Sequence, residues 1–453
     1  MARSGHPGSA ALALNSEQPV LNTSIAPDAA LQSATDARAT YAKVTWRLLP
    51  FLLAAYVVAY LDRVNVGFAK LQMMTDLHFS DAVYGFGAGI FFIGYFLFEV
   101  PSNIILHRVG ARVWIARIML TWAVVSASTA FVTTPFMFYA LRFLLGVAEA
   151  GFFPGIVLYL TYWYPAQRRG AVMALLLTAV PLTGVIGSPL SGSILQSMNG
   201  WHGLAGWQWL YLVEAAPSVV AGIVTLLLLD RGIESAKWLT ADEKALLLRN
   251  VEAEAQGKHN HTLAEVFRSA LLWRMSAIYF SLVMGLYGIS FWLPTIIRAT
   301  GVSQPLDIGL LTAIPYLAGV LCMIPLSRRS DRLLERRWHV AIPAIVGGFG
   351  LLMSTTVTHD TTLSLVAMTV ATAGIMSTLP LFWSLPTAVL SGTAAAAGLA
   401  MINSVGNLAG FASPYLVGVI ADTTHDTRLG MALLAGSMFI GAGLTLSLPK
   451  AVR

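Results

Sequence analysis

Twelve long apolar runs dominate this sequence, and each is long enough to cross a lipid bilayer as a helix. A membrane-spanning helix needs about 20 mostly apolar residues. Hydrocarbon offers no water to the backbone, so such a run folds as an α-helix that satisfies its own hydrogen bonds. The sequence therefore predicts an all-α, polytopic membrane protein. The runs are Trp46–Phe68, Gly85–Leu106, Val113–Phe131, Phe136–Trp163, Ala171–Leu195, Trp207–Leu229, Leu271–Ile297, Ile308–Pro325, Trp338–Val357, Leu363–Leu385, Ala394–Ile420 and Leu429–Leu448.

The low charge content excludes a soluble globular protein. Only 11% of the residues are charged and 56% are hydrophobic, whereas a soluble domain is about 25% charged. The net charge of +6 is modest and gives no reason to expect nucleic acid as a partner. The single cysteine excludes a disulfide framework.

Basic residues are concentrated in the loops on one side of the predicted membrane helices. Those loops hold fifteen Lys and Arg residues, whereas the opposite loops hold only Lys70, Arg298 and Arg428. Cytoplasmic loops carry the excess of Lys and Arg in membrane proteins. This bias predicts a multi-pass protein of the inner membrane with both termini in the cytoplasm.

A polar stretch in the middle of the chain separates six runs from six. We expect a disordered cytoplasmic tail over residues 1–42, a six-helix bundle over 43–230, a cytoplasmic linker over 231–270 and a second six-helix bundle over 271–453. Thr240 and Glu243 have the spacing of a capping box, which predicts a short surface helix in the linker.

The two halves of the chain carry similar features at nearly one offset. The pairs Ser188-Pro189 and Ser413-Pro414 are 225 residues apart, and each lies in a run rich in small residues. Arg108 and Arg332 are 224 apart, each in a basic loop. These offsets predict a duplicated six-helix unit. Repeated halves with a site at their interface are typical of secondary transporters.

Two charged residues, Asp62 and Arg63, lie side by side in the first run. An ionised group at membrane depth costs roughly 2.5–3.5 kcal/mol even on the mildest scale, and its usual role is on a solute or ion pathway. Tyr56, Tyr60 and Arg63 share one helix face. The guanidinium is a planar fork that matches a carboxylate. Asp62 is turned by about 100° from Arg63 and faces a neighbouring helix.

Arg142 and Glu149 lie in the fourth run on one face, about 10 Å apart along the axis. A carboxyl group in apolar surroundings holds its proton more tightly, and a nearby Arg weakens that hold. A site that alternates between these settings can bind and release a proton. The alternative interpretation is that Asp62–Arg63 and Arg142–Glu149 are structural ion pairs that lock helices together.

Further polar side chains at membrane depth extend the candidate site. They are Tyr95, Tyr287, Asn403 and Asn407, and the two asparagines are spaced i, i+4 so that they can line a cavity together. Each can equally satisfy a neighbouring helix.

A compact charge cluster lies between the eighth and ninth runs. Asp331 and Arg332, with Arg108 in the corresponding loop of the first half, can form a conformational latch; the alternative is simple topology-setting charge. We find no nucleophile–base set, metal-ligand cluster or phosphate-binding loop, so we expect neither an enzyme nor a cofactor or metal.

Several motifs together resemble the anion:cation symporters of the major facilitator superfamily, over about residues 44–448. The motifs are Tyr60-Leu61-Asp62-Arg63-Val64-Asn65, Pro101-Ser102-Asn103, Gly110-Ala111-Arg112, Arg142-Phe143-Leu144-Leu145-Gly146, Glu149-Ala150-Gly151-Phe152-Phe153-Pro154-Gly155 and Phe291-Trp292-Leu293-Pro294. The chain departs from the superfamily's loop motif, because His107 stands where that motif has an acid.

The resemblance implies a fold of twelve transmembrane helices in two six-helix halves with alternating access. It implies Arg63, Tyr60 and Tyr95 as substrate contacts, Asp62 and Glu149 as protonation sites, and Arg142 as the group that couples the two. It also implies proton-coupled uptake of an organic anion.

Within the family, the chain most resembles bacterial carriers for tartrate, 4-hydroxyphenylacetate and phthalate. Together with this resemblance, the observations predict a proton-coupled symporter for a small carboxylate, such as a tartrate-like dicarboxylate or a hydroxy acid. An aromatic acid, such as 4-hydroxyphenylacetate or phthalate, is an alternative substrate. A second class of alternative is a facilitator or exporter of a neutral solute. We expect a monomer whose partners are the anion, protons and the bilayer.

Overall fold

The computed structural model describes residues 27–255, 268–389 and 392–449, and their regular elements are helices. The helices of the first half are α1 (Pro27–Val64), α2 (Val66–Leu77), α3 (Asp81–Val109), α4 (Ala111–Ser128), α5 (Pro135–Glu149), α6 (Phe152–Thr161), α7 (Ala166–Leu177), α8 (Ala179–Ser197) and α9 (Gly206–Leu228). The later helices are α10 (Ala241–Ala255), α11 (Ala270–Ala299), α12 (Pro305–Leu333), α13 (Arg337–Ser354), α14 (Thr361–Val389), α15 (Gly392–Thr424) and α16 (Arg428–Leu446).

Eleven helical segments in the described ranges are long and apolar enough to cross a membrane. The remaining apolar run is α13, an 18-residue helix that packs against α14 and α16. Its first turn contains Arg337 and His339, which lower its mean hydropathy. The predicted all-α membrane fold is confirmed.

Two helix limits differ from the sequence prediction. Helix α1 begins at Pro27, inside the stretch predicted as a disordered tail, because residues 28–42 are rich in alanine and other helix formers. The first membrane segment also continues past Phe68 to Leu77, so Lys70 is a buried helical residue and not a loop residue. The predicted linker helix is present as α10, where Thr240 N–H donates to Glu243 and Glu243 N–H donates to Thr240.

The fourth run is broken into α5 and α6, and the cause is local. Pro154 has no N–H to give to the carbonyl of Ala150, one helical turn earlier. Ser102 of α3 supplies that bond instead, with Oγ 2.6 Å from the Ala150 oxygen. Gly151 takes the left-handed conformation (φ 89°) that the break requires. The break places Glu149 at the end of α5.

The membrane helices form two groups that correspond to the two halves of the chain. In the first half, α4 contacts α5, α6 and α9, and α9 contacts α8. In the second half, contacts link α11, α13, α14, α15 and α16. The main contacts between the groups are α3 with α15 and α8 with α12, followed by α2 with α11.

Glycines allow these two crossing pairs to approach closely on the side opposite the basic loops. A Cβ on Gly85 would meet the Pro414 carbonyl oxygen, and a Cβ on Gly309 would meet the Ser188 carbonyl oxygen. These contacts are related by nearly the same offset as the sequence repeat, so the α3–α15 and α8–α12 crossings are equivalent pairs. Small residues at such crossings let backbones touch.

Polar bonds tie the halves together on that same side. Asp81 N–H at the start of α3 donates to Asp422 Oδ1 of α15 over 2.8 Å. Lys70 pairs with Asp81 at 2.6 Å, and its ammonium lies 3.6 Å from the centre of the Trp292 ring on α11. The side opposite the basic loops is therefore closed.

Overpacking this crossing should open the closed side. We expect Gly85→Val to force α3 away from α15, because overpacking a close contact costs about 1–3 kcal/mol.

Opening is measured with a cysteine introduced at Ser290, in a protein where Cys322 has been replaced by serine. Its reaction with an impermeant maleimide, applied from the closed side, should be at least about fivefold faster than in the parent. Gly443→Val is the matched control, because open space surrounds Gly443. Equal rates in all three proteins would contradict the closed-gate interpretation.

Candidate functional site

A cavity of about 540 Å³ lies between the two halves at membrane depth. Helices α1, α3, α6, α7 and α8 line it from one half, and α11, α14 and α15 line it from the other. The lining residues are Tyr56, Tyr60, Arg63, Tyr95, Phe153, Leu177, Val180, Tyr279, Leu286, Tyr287, Leu379, Trp383, Asn403 and Asn407. All six residues that the sequence analysis assigned to substrate binding line this cavity.

Arg63 is the cation of the cavity, and its guanidinium is almost fully buried. It pairs with Glu149 and donates to the Tyr287 hydroxyl over 3.1 Å. Its guanidinium carbon lies 5.6 Å from the ring centres of Tyr60 and Tyr95. Aromatic faces attract a cation at such distances. The predicted face of Tyr60 and Arg63 is thus present and is completed by residues of other helices.

Glu149 completes a buried ion pair with Arg63 and is 1% exposed. The pair joins α1 to the end of α5. Breaking a buried pair by removing one charge costs about 3–5 kcal/mol, because the other charge is left without compensation. The pairing of Arg63 with Glu149 was not foreseen from the sequence, where Arg142–Glu149 stood only as an alternative, structural ion pair.

Arg142 has a different set of partners. It donates to the carbonyls of Gly87 at 3.3 Å and Ala88 at 3.4 Å on α3, and to the carbonyl of Arg63 at 3.2 Å. The Arg63 carbonyl lies near the boundary of α1 and α2. Arg142 therefore holds three helices together directly behind the Arg63 side chain.

Asp62 lies outside the cavity, among donors of the first half. It accepts hydrogen bonds from Trp122 Nε1 (3.1 Å), Ser126 Oγ (2.8 Å) and Ser218 Oγ (2.5 Å). These donors belong to α4 and α9, so Asp62 faces neighbouring helices as its turn from Arg63 predicted.

Glu99 on α3 is a buried acid that the sequence analysis overlooked. It accepts from Asn403 Nδ2 at 3.1 Å and Ser404 Oγ at 3.2 Å, both on α15 of the other half. The sequence does carry a signal for Glu99, because it is an acidic residue within an apolar run, one helical turn from Tyr95.

A second overlooked acid, Glu214 of α9, accepts from Ser191 Oγ over 2.6 Å. Ser191 lines a smaller cavity of about 370 Å³, which lies toward the closed side of the molecule. Tyr60 lines both cavities and shares a 3.2 Å hydrogen bond with Ser290 across the halves.

The predicted latch residues Arg108, Asp331 and Arg332 are exposed. Glu335 organises the neighbouring turn, because the Trp338 N–H lies 3.1 Å from each of its carboxylate oxygens. Burial raises the pKa of Glu335, but these bonds and the bond with His339 outweigh burial and hold the pKa below its usual range. A latch role for the three exposed residues stays a prediction.

The arrangement around Arg63 can exchange one carboxylate for another. Arg63 reaches Glu149 on one side and faces the cavity on the other, so a ligand carboxylate can take the place of Glu149. Among the described residues, no group of three or more His, Cys, Asp or Glu side chains could hold a metal ion.

Comparison with known proteins shows the family. The model described as "Major Facilitator Superfamily" matches residues 52–414. A Pseudomonas putida protein named "Putative metabolite transport protein NicT" is 49% identical over 414 residues, which are 91% of this chain and 95% of that protein. An Agrobacterium vitis protein named "Putative tartrate transporter" is 49% identical over 410 residues, 90% of this chain and 94% of that protein.

The same architecture is found in a solved structure. The xylose transporter XylE from Escherichia coli, in a partially occluded inward open conformation, matches with a TM-score of 0.71 at 12% identity. The match covers 89% of this chain and 99% of that one. At this identity the likeness shows the fold alone, and it confirms the predicted fold of two six-helix halves.

The three donors around Asp62 give a prediction about stability. Asp62→Asn replaces one acceptor oxygen with an N–H group that faces other donors, which should cost about 1–3 kcal/mol. We expect a lower thermal unfolding midpoint in detergent, followed by tryptophan fluorescence. Asp242→Asn, at the exposed start of α10, is the control. An unchanged midpoint for Asp62→Asn would show that these hydrogen bonds do not stabilise the fold.

Proposed function

The chain belongs to the Major Facilitator Superfamily, and from that premise we propose that it is a proton-coupled symporter for a small organic carboxylate. The observation that carries the proposal is the buried Arg63–Glu149 pair at the wall of a cavity between the halves. Arg63 is a carboxylate receptor, and Glu149 is an internal carboxylate that occupies it. The proposed direction is uptake across the inner membrane, with both termini in the cytoplasm.

In the proposed cycle, protonation of Glu149 removes its charge and releases Arg63. The substrate carboxylate then pairs with Arg63. The Tyr287 hydroxyl accepts a hydrogen bond from the same guanidinium and keeps it in position. After the two halves rock about the site, loss of the proton lets Glu149 compete for Arg63 and displaces the substrate. Arg142 couples the two events because it bonds the backbone of Arg63.

Two further roles belong to the same proposal. Asp62 is a second protonation site, whose charge acts on the packing of α1 against α4 and α9. Arg108, Asp331 and Arg332 form a latch that engages in another conformation of the cycle.

The first candidate substrate is a tartrate-like dicarboxylate or hydroxy acid. Its support is the relative of 49% identity named a tartrate transporter and the polar pair Asn403 and Asn407, which line the cavity with Arg63. These amides can bond the hydroxyl groups of a hydroxy acid.

The second candidate is an aromatic acid, and the cavity wall favours it. Half of the lining residues are aromatic: Tyr56, Tyr60, Tyr95, Phe153, Tyr279, Tyr287 and Trp383. Aromatic side chains bind a flat ring by stacking or edge contacts worth about 0.5–1.5 kcal/mol each. Competition between tartrate and an aromatic acid for one labelled ligand discriminates the two candidates.

Removing Arg63 should abolish transport. A single substitution leaves Glu149 buried without a partner, so the test uses Arg63→Gln combined with Glu149→Gln, which keeps the site neutral. We expect normal insertion and folding but no uptake of a labelled carboxylate into proteoliposomes, with ligand stabilisation lost as well. Arg428→Ala, which removes an exposed cation, is the control. Uptake by the double variant would refute Arg63 as the anion receptor.

Substrate affinity should depend on pH through Glu149. Lower pH protonates Glu149 and frees Arg63, so the wild-type protein should bind a carboxylate more tightly at pH 6 than at pH 8, a range in which the ligand stays ionised. Glu149→Gln mimics the protonated state and should bind with the same affinity at both values, and it should lose uptake driven by a pH gradient. Glu252→Gln on α10 is the control. Equal pH dependence in all three proteins would exclude Glu149 as the coupling group.

A further inference from the structure

Glu99 occupies a place in the site to which the proposed cycle gives no role. It lies on α3, one helical turn from Tyr95, and is 5% exposed. Its two carboxylate oxygens each accept one hydrogen bond, from Asn403 Nδ2 over 3.1 Å and from Ser404 Oγ over 3.2 Å. Both oxygens therefore act as hydrogen-bond acceptors, as they do in an ionised carboxylate.

These bonds fix the orientation of the Asn403 amide. If the amide turned over, its oxygen would face the carboxylate of Glu99, and two acceptors would repel each other. The stable orientation therefore points Nδ2 at Glu99 and leaves Oδ1 free of that bond. Asn403 lines the cavity together with Arg63. With Nδ2 held by Glu99, Asn403 can present Oδ1 to the cavity as a hydrogen-bond acceptor, beside the cation of Arg63.

We propose that Glu99 is a positioning residue that makes the site selective for a carboxylate with a hydroxyl or other donor at its far end. A second carboxylate at that end would meet the acceptor oxygen of Asn403 and the negative charge of Glu99 behind it. Both effects are strong in a buried site, where charges are weakly screened. The inference rests on the proposed function and narrows its substrate class to hydroxy monocarboxylates.

Matched ligand pairs test this selectivity. Threonate differs from tartrate only by a hydroxymethyl group in place of one carboxylate, and 4-hydroxybenzoate differs from terephthalate by a hydroxyl in the same place. At pH 7.5 we expect the wild-type protein to bind the hydroxy member of the better-bound pair at least tenfold more tightly, as measured by calorimetry.

Glu99→Gln should reduce that ratio by about tenfold, the effect of one hydrogen bond to a charged group. The variant removes the charge, and its amide can bond Asn403 in either orientation, so the acceptor is no longer fixed. A general loss of protein stability would weaken the binding of both ligands of a pair equally and leave the ratio of their affinities unchanged. Glu214→Gln, which neutralises a buried carboxylate bonded to Ser191 on α8, is the matched control and should keep the wild-type ratio.

The outcomes separate the two levels of the proposal. Tighter binding of the dicarboxylate by the wild type, or an unchanged ratio in Glu99→Gln, overturns the role of Glu99 and leaves carboxylate transport standing. If neither pair nor any other carboxylate binds the wild-type protein, the proposed function is wrong, and this inference is wrong with it.

Discussion

The buried pair of Arg63 and Glu149 is the interaction on which the rest of the site depends. Neither charge is stable alone at membrane depth, because hydrocarbon does not solvate it. Arg63 is therefore stable only with an anion beside it, which is Glu149 in this structure and a ligand carboxylate in the loaded state of the proposed cycle. A ligand carboxylate can replace Glu149 without leaving an uncompensated charge only if Glu149 takes up a proton. Coupling of anion and proton in the proposed cycle thus follows from charge balance at one guanidinium.

Irregular backbone positions this pair. Helix α5 ends at Glu149 because Pro154 cannot bond the Ala150 carbonyl, and Ser102 of α3 satisfies that carbonyl instead. On the opposite side of the pair, Arg142 donates to the Arg63 carbonyl near the boundary of α1 and α2. Non-helical backbone at membrane depth, such as the break after Glu149, is tolerated only where other protein groups satisfy it. Ser102 and Arg142 therefore bond backbone carbonyls on both sides of the pair and link α1, α3 and α5.

Sequence patterns predicted the fold better than the partners within the site. Run length and the repeated Ser-Pro pairs were sufficient for a membrane fold of two six-helix halves, and the helical face of Tyr60 and Arg63 was right. Spacing along one helix does not show which other helix lies opposite, so Arg63 was not identified as the partner of Glu149. Glu99 was overlooked for a related reason: its partners are 304 and 305 residues away in sequence. The early start of α1 was missed because alanine-rich polar sequence is compatible with both helix and disorder.

The two acids of the first half, Asp62 and Glu149, differ in what a proton would change. Asp62 accepts from three neutral donors on α4 and α9, so its protonation would weaken bonds inside one bundle. Glu149 bonds Arg63, a residue that lines the cavity, so in the proposed cycle its protonation changes what the cavity can bind. A group that couples ion and solute must act on both. The geometry therefore favours Glu149 as the primary coupling site, with Asp62 acting through helix packing.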